Sequence, residues 1–211
     1  HVAWLGTDGA TDAARCREAI AAEGGADLLI VDHYGLDAVY ERAMRPQVGR
    51  ILVVDDLADR PHDCDLLLDQ NVGAEVGERY RDLVPAGATL LLGPAFALLD
   101  PGYAAAHRAR SGAVRRILVF FGGVDATNAA RAALEGIERA GLTDAIADVV
   151  VGGANPHRDD LAAFAEDRPW VRLLPPQPTL IDLVARADLA IGAGGVAALE
   201  RAAAGQIGRA H

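Results

Sequence analysis

Short, mostly apolar runs recur along this chain: VAWL at 2–5, LLIV at 28–31, ILVV at 51–54, LLL at 66–68, TLLL at 89–92, ILVFF at 117–121, ADVVV at 147–151, VRLL at 171–174 and LAI at 189–191. They have the length of strands, and several are apolar at consecutive positions, so both faces of such a strand need cover. The stretches between them have helical spacing. TDAARCREAI offers Thr11 or Asp12 as a cap, AVYERAM follows Asp37, and TLIDLVARA sets Thr179 three residues before Asp182 in capping-box spacing. Strands alternating with helices in this way predict an α/β fold with parallel sheets.

The alternation breaks at DPGYAAAHRARSGAV, residues 100–114, which holds Pro, Gly and Arg pairs but no strand. A boundary here predicts two Rossmann-like domains, 1–104 and 105–211, facing one another across a cleft. The charge divides at the same place. Residues 1–104 hold 8 Arg against 18 acids, residues 105–211 hold 12 Arg against 12 acids, and all 20 basic residues are arginine. Neither half has the basic field that nucleic acid or an anionic membrane attracts, so neither is an expected partner. Two cysteines, Cys16 and Cys64, do not make a disulfide scaffold, and with no apolar span of membrane length the expectation is a cytoplasmic protein. The chain opens on His1 within a strand-like run and ends QIGRAH just after Gly205. Further sequence is expected before His1 and between Gly205 and Gln206.

Glycine loops follow three strands of the second half. After ILVFF come Gly122 and Gly123, then Asp125, Thr127 and Asn128, then an alanine-rich helix. Paired glycines let a ligand approach the backbone, and a helix start presents unpaired amides to an anion. The alternative is an ordinary βα turn. After LAI, Gly194, Gly195 and Val196 open a helix carrying Glu200, a carboxylate suited to two vicinal ribose hydroxyls or simply to solvent. The third loop holds Gly152, Gly153, Asn155 and His157, the histidine read as a surface residue. Neither GxGxxG nor GxxxxGK[ST] is present.

In the first half, polar residues cluster where strands end. Asp32, His33, Tyr34 and Gly35 follow LLIV, and they make either a catalytic platform or a strand-to-helix connection with one core histidine. Asp55 and Asp56 follow ILVV, with Asp59, His62, Asp63 and Asp65 beyond them. Their spacing fits no metal motif, and turn capping with solvation is the preferred reading, so no metal is expected. Asp69, Gln70 and Asn71 end the next strand, where amides either grip sugar groups or fasten a loop.

VDHYGLD, ILVVDDLADRPHDCDLLLDQN, LLGPAFALL, FFGGVDATN and GAGGVAALE, in that order, resemble the UDP-2,4-diacetamido-2,4,6-trideoxy-β-L-altropyranose hydrolases of pseudaminic acid biosynthesis, a family related to MurG-like glycosyltransferases. The resemblance implies a GT-B fold in which the second domain holds UDP and the modified sugar projects toward the first. It implies a monomer that needs no cofactor or metal and hydrolyses a UDP-sugar to UDP and free sugar, with inversion at the anomeric carbon. On this resemblance Tyr34, with Asp32 and His33, is catalytic, Asp56 and Asn71 touch the sugar, Gly122, Gly123, Gly152, Gly194, Gly195 and Val196 approach the diphosphate, and Glu200 holds the ribose. Departures are plain: no GxGHxxR loop is found, and Val196 and Ala197 replace the Ser/Thr that follows the last glycine loop. A transferase of the same fold and a silent nucleotide-sugar binding module are the competing expectations.

Overall fold

The structure, a computed structural model, describes residues 6–71, 73 and 76–206. The strand expected at 2–5 and the terminal residues 207–211 lie outside them. The chain divides into two compact units, His1–Leu98 and Leu99–His211. Each is a four-stranded parallel sheet with helices, the mixed α/β arrangement of Rossmann-like domains.

In the first unit the order is α1 (Gly9–Ala22), β1 (Ala26–Val31), α2 (Ala38–Met44), β2 (Val48–Val54), β3 (Leu66–Asp69), α3 (Val76–Arg79) and β4 (Thr89–Leu92), and the sheet runs β1-β2-β3-β4. Leu29 pairs with Ile51 and Leu68 with Leu91, so each strand places alternate residues on the helix-covered face. Met44, Ile51, Val53, Leu67 and Tyr80 form the centre of that core, each no more than 1% exposed. Full burial of one such side chain contributes about 1.5–3 kcal/mol. The expectation that both strand faces are covered fails in β1, where Leu28 is 47% and Ile30 58% exposed. Helix starts follow local chemistry. Asp37 caps α2 through Val39 N–H, as expected, whereas α1 is capped by Asp8, which accepts from the Thr11 amide at 2.9 Å and hydroxyl at 2.7 Å. Thr11 is therefore the donor to the cap and not the cap itself.

The second unit comprises α4 (Pro101–Ala105), β5 (Arg116–Phe120), α5 (Ala129–Arg139), β6 (Ile146–Val150), α6 (Arg158–Glu166), β7 (Val171–Leu174), α7 (Ile181–Arg186), β8 (Leu189–Gly192) and α8 (Val196–Ala203). Its sheet order is β7-β6-β5-β8. The chain steps outward from β5 to β7 and then returns to the far side of β5, so helices fall on opposite faces. Leu134 and Ile137 of α5 with Leu161 and Phe164 of α6 cover one face; Tyr103 of α4 with Leu183 and Val184 of α7 covers the other. Thr179 accepts the Ile181 N–H at 3.3 Å, in place of the capping-box bond to Asp182.

Candidate functional site

Ligands of open parallel sheets bind beyond the carboxyl ends of the strands, at the point where strand order reverses. In the second unit that point lies between β5 and β8, and the loops leaving them are the ones carrying Gly122–Gly123 and Gly194–Gly195. The two helices that follow differ. Asp125 turns back so that Oδ1 accepts from Ala129 N–H at 2.8 Å and Oδ2 from Ala130 N–H at 3.0 Å. Its own carboxylate thus fills the α5 start, and the amides read from sequence as an anion seat are spent there. Among the described residues no side chain caps α8. Gly194, Gly195 and Val196 are exposed, and a Cβ at Gly194 or Gly195 would meet nothing within 4 Å. Gly195 has φ +70 and ψ −152, a conformation that excludes larger residues and turns the chain into α8. An eight-residue helix with a bare N-terminus at the switch point is suited to a phosphate.

Gly152 has a packing reason of its own. A Cβ there would collide with the Gly123 carbonyl, so the β6 loop lies directly against the β5 loop. His157 fastens the same pair of loops through Nε2 and Ala126 O, 3.1 Å apart, and its backbone N–H is held by Asn155 Oδ1. Glu200 is half-buried beside a hollow of about 10 Å³, room for about one water, lined by Leu118, Phe120, Leu180 and Ala197. Burial raises its carboxyl above the usual range, while Tyr103 and Arg201 pull it down. Burial in turn lowers the Arg201 guanidinium, whose Nη2 donates to Ala193 O at 2.8 Å and braces the glycine loop.

In the first unit the strand ends carry two polar layers. The inner one is buried. Asp55, just after β2, and Asp69, at the end of β3, are 2% and 1% exposed, and the Tyr80 hydroxyl lies 3.1 Å from Oδ2 of each. Burial, then these two carboxylates, push the Tyr80 phenol far above its ordinary value. Asp55 also accepts from Ala58 N–H, and Arg60 Nη1 sits 2.8 Å from its Oδ1 at ion-pair distance, without hydrogen-bond alignment. Behind Asp55, His62 Nδ1 lies 2.7 Å from Glu41 Oε1, and the other Glu41 oxygen accepts from Asp63 N–H. Both side chains of this pair are fully buried.

The outer layer is where a ligand has access. Tyr34 is 44% exposed and stands by Asp56, whose charge, ahead of burial, raises the phenol above its ordinary value. Asp56 Oδ2 accepts from Asn71 Nδ2 at 3.2 Å, and its Oδ1 is buried with no donor among the described residues. Arg79 donates to the carbonyls of Asp56 and Leu57, both at 2.9 Å. Asp32 is exposed just beyond β1. His33 turns onto its own loop: Nδ1 accepts from Gly35 N–H at 2.9 Å, and Nε2 is buried without a partner among the described residues.

Of the expected first-unit residues, the structure therefore joins Tyr34, Asp56 and Asn71, and it directs the His33 ring inward. Gln70 fastens a loop by accepting the Leu98 N–H. The sequence reading missed the Glu41–His62 pair, because it treated His62 as part of a solvated turn. A signal was present: Glu41 is spaced three residues from both Ala38 and Met44 on the buried face of α2. The remaining acids of that run meet arginines, Asp63 and Asp65 with Arg45 and Asp59 with Arg60, and among the described residues no group of side chains is arranged to hold a metal ion.

No helix among the described residues is long and apolar enough to cross a membrane. No family model matches the chain. A curated relative from Campylobacter jejuni, UDP-2,4-diacetamido-2,4,6-trideoxy-beta-L-altropyranose hydrolase, is 27% identical over 148 residues, 70% of this chain and 52% of the relative. The chain is thus similar over most of its length to a hydrolase named for a UDP-sugar, and the match spans about half the length of that relative.

Proposed function

We propose that this chain belongs to a nucleotide-sugar hydrolase of GT-B type that cleaves UDP-2,4-diacetamido-2,4,6-trideoxy-β-L-altropyranose to UDP and the free sugar. The observation that carries the reading is the similarity to the Campylobacter jejuni hydrolase. The bare start of α8 at the switch point of the second sheet supports it, since a diphosphate needs amide donors. So does the outer layer of the first unit. Tyr34, 44% exposed beside Asp56, presents its phenol to a sugar hydroxyl or acetamido group, and Asn71 holds the Asp56 carboxylate.

In this reaction the water oxygen bonds to the anomeric carbon as the bond from that carbon to the phosphate oxygen breaks. The electron pair leaves with UDP, the water proton passes to a base, and the configuration inverts. Developing charge on the leaving diphosphate is met by the amides of the α8 start and by the helix dipole, donors fixed in place before reaction. The role of the first unit is to orient sugar and water through Tyr34 and Asp56. The substrate is a free small molecule, and the protein acts on it as a cytoplasmic monomer without a nucleic-acid or membrane partner.

The test is incubation of the full-length protein with this UDP-sugar in water enriched in heavy oxygen. Release of UDP and sugar, with the label on the sugar and none on UDP, is the expected result. Sugar release that requires an added acceptor alcohol would make the protein a transferase, and binding without turnover would make it a binding module.

A further inference from the structure

We infer that Arg60 is a positioning residue of the first-unit site: its guanidinium ties the turn carrying Tyr34 to the loop carrying Asp56 and so sets the phenol beside the carboxylate. The inference depends on the hydrolase reading for its kinetic test alone.

The Arg60 side chain is 14% exposed and spans two loops that leave different strands. Toward the loop after β1, Nε donates to Leu36 O at 2.7 Å and Nη2 to His33 O at 3.4 Å. Toward its own loop, Nη1 meets buried Asp55 Oδ1 at 2.8 Å and Asp59 Oδ1 at 2.9 Å. The contact to Asp59, a 58% exposed side chain, adds little, whereas Asp55 is fixed by Tyr80 and Ala58 N–H. Asp55 adjoins Asp56, and Tyr34 lies between the two carbonyls that Arg60 holds. One planar group therefore locks both ends of the Tyr34 turn to a buried anchor next to Asp56. Only a fork of several N–H groups can do this, since the single ammonium of lysine cannot face two carbonyls and a carboxylate in one plane. The turn has little else to hold its tip: His33 Nδ1 bonds only within the turn, and Ala38 N–H to Pro61 O at 2.9 Å anchors the start of α2.

The experiment uses full-length Arg60→Lys and Arg60→Ala proteins, with thermal melting as the check of folding. With the altrose-configured UDP-sugar, kcat is expected to fall by up to about 10-fold, no more than in Tyr34→Phe, with KM near wild type, the effect of misplacing the Tyr34 phenol. Tyr34→Phe combined with Arg60→Lys should lose no more activity than the worse single variant, because Arg60 acts through Tyr34. Losses that multiply, or a folded Arg60→Lys with wild-type kcat, would overturn the role. A second measurement needs no turnover. In protein labelled with fluorotyrosine, with the Tyr34→Phe protein assigning the resonance, the Tyr34 phenol should titrate above free fluorotyrosine and move back toward it in Arg60→Lys. An unmoved titration in a folded variant overturns the inference. A wild-type protein that releases no UDP would sink the hydrolase reading and leave the titration to decide Arg60.

Discussion

The Glu41–His62 pair is expected to hold much of the stability of the first unit. Both side chains are wholly excluded from solvent, 2.7 Å apart, and Glu41 also accepts from Asp63 N–H. Removing one partner leaves the other buried with its hydrogen bond unmade, which costs about 3–5 kcal/mol for a buried pair. A domain of this size has about 5–15 kcal/mol in all, so Glu41→Ala or His62→Ala alone should bring the unit close to unfolding under mild denaturant. The double variant strands neither group, so its loss should fall short of the sum of the singles by about 1–3 kcal/mol. Urea unfolding of the wild type and the three variants, followed by circular dichroism, measures this coupling. Single losses below about 1 kcal/mol, or singles that add within about 0.5 kcal/mol, would refute the view that the two groups depend on one another.

Asp125→Ala should destabilise the second unit by about 1–2 kcal/mol in the same assay, because it frees two amides of α5. A loss under about 0.3 kcal/mol would mean that solvent replaces the cap. Glu200→Gln is expected to weaken UDP binding about 10-fold by calorimetry while kcat changes less; an unchanged affinity would leave Glu200 as a packing partner of Tyr103. Tyr34→Phe should lower kcat about 10-fold and spare UDP affinity, and normal turnover would remove the phenol from the reaction. Asp188 accepts from the amides of Arg115 and Arg116, both at 3.0 Å, and pairs with Arg108; the Arg115 amide is the largest cause holding its carboxyl below the ordinary value. Its stabilisation is then present above the unfolded value near about 4 and is lost as pH falls through the depressed folded value. Asp188→Asn should flatten the acid limb of the stability profile in that window, and an unaltered limb would show that the carboxylate gains nothing on folding.

The fold class was legible in local pattern because parallel strands need continuous apolar runs and helices need caps, and both are written in neighbouring residues. LLIV, ILVV, TLLL, ILVFF and VRLL all overlap strands, and Asp37 caps the helix it precedes. The glycine loops were legible for the same reason. Sequence could not say which helix start was free, because Asp125 and Val196 both follow glycines and only the path of the chain turns the aspartate back onto its own amides. Nor could it separate the many acids of the first half. Asp55 and Asp56 are adjacent in the chain, yet one is buried under Tyr80 and Arg60 and the other faces Asn71 and Tyr34. A strand end sends successive side chains to opposite sides, and what waits on each side comes from residues as distant as Glu41 and Tyr80. The sequence by itself determined the strands, the loops and the kinds of chemistry available. Tertiary structure decided which charges are spent in the core and which are left for a ligand, because burial and pairing depend on contacts far apart in the chain.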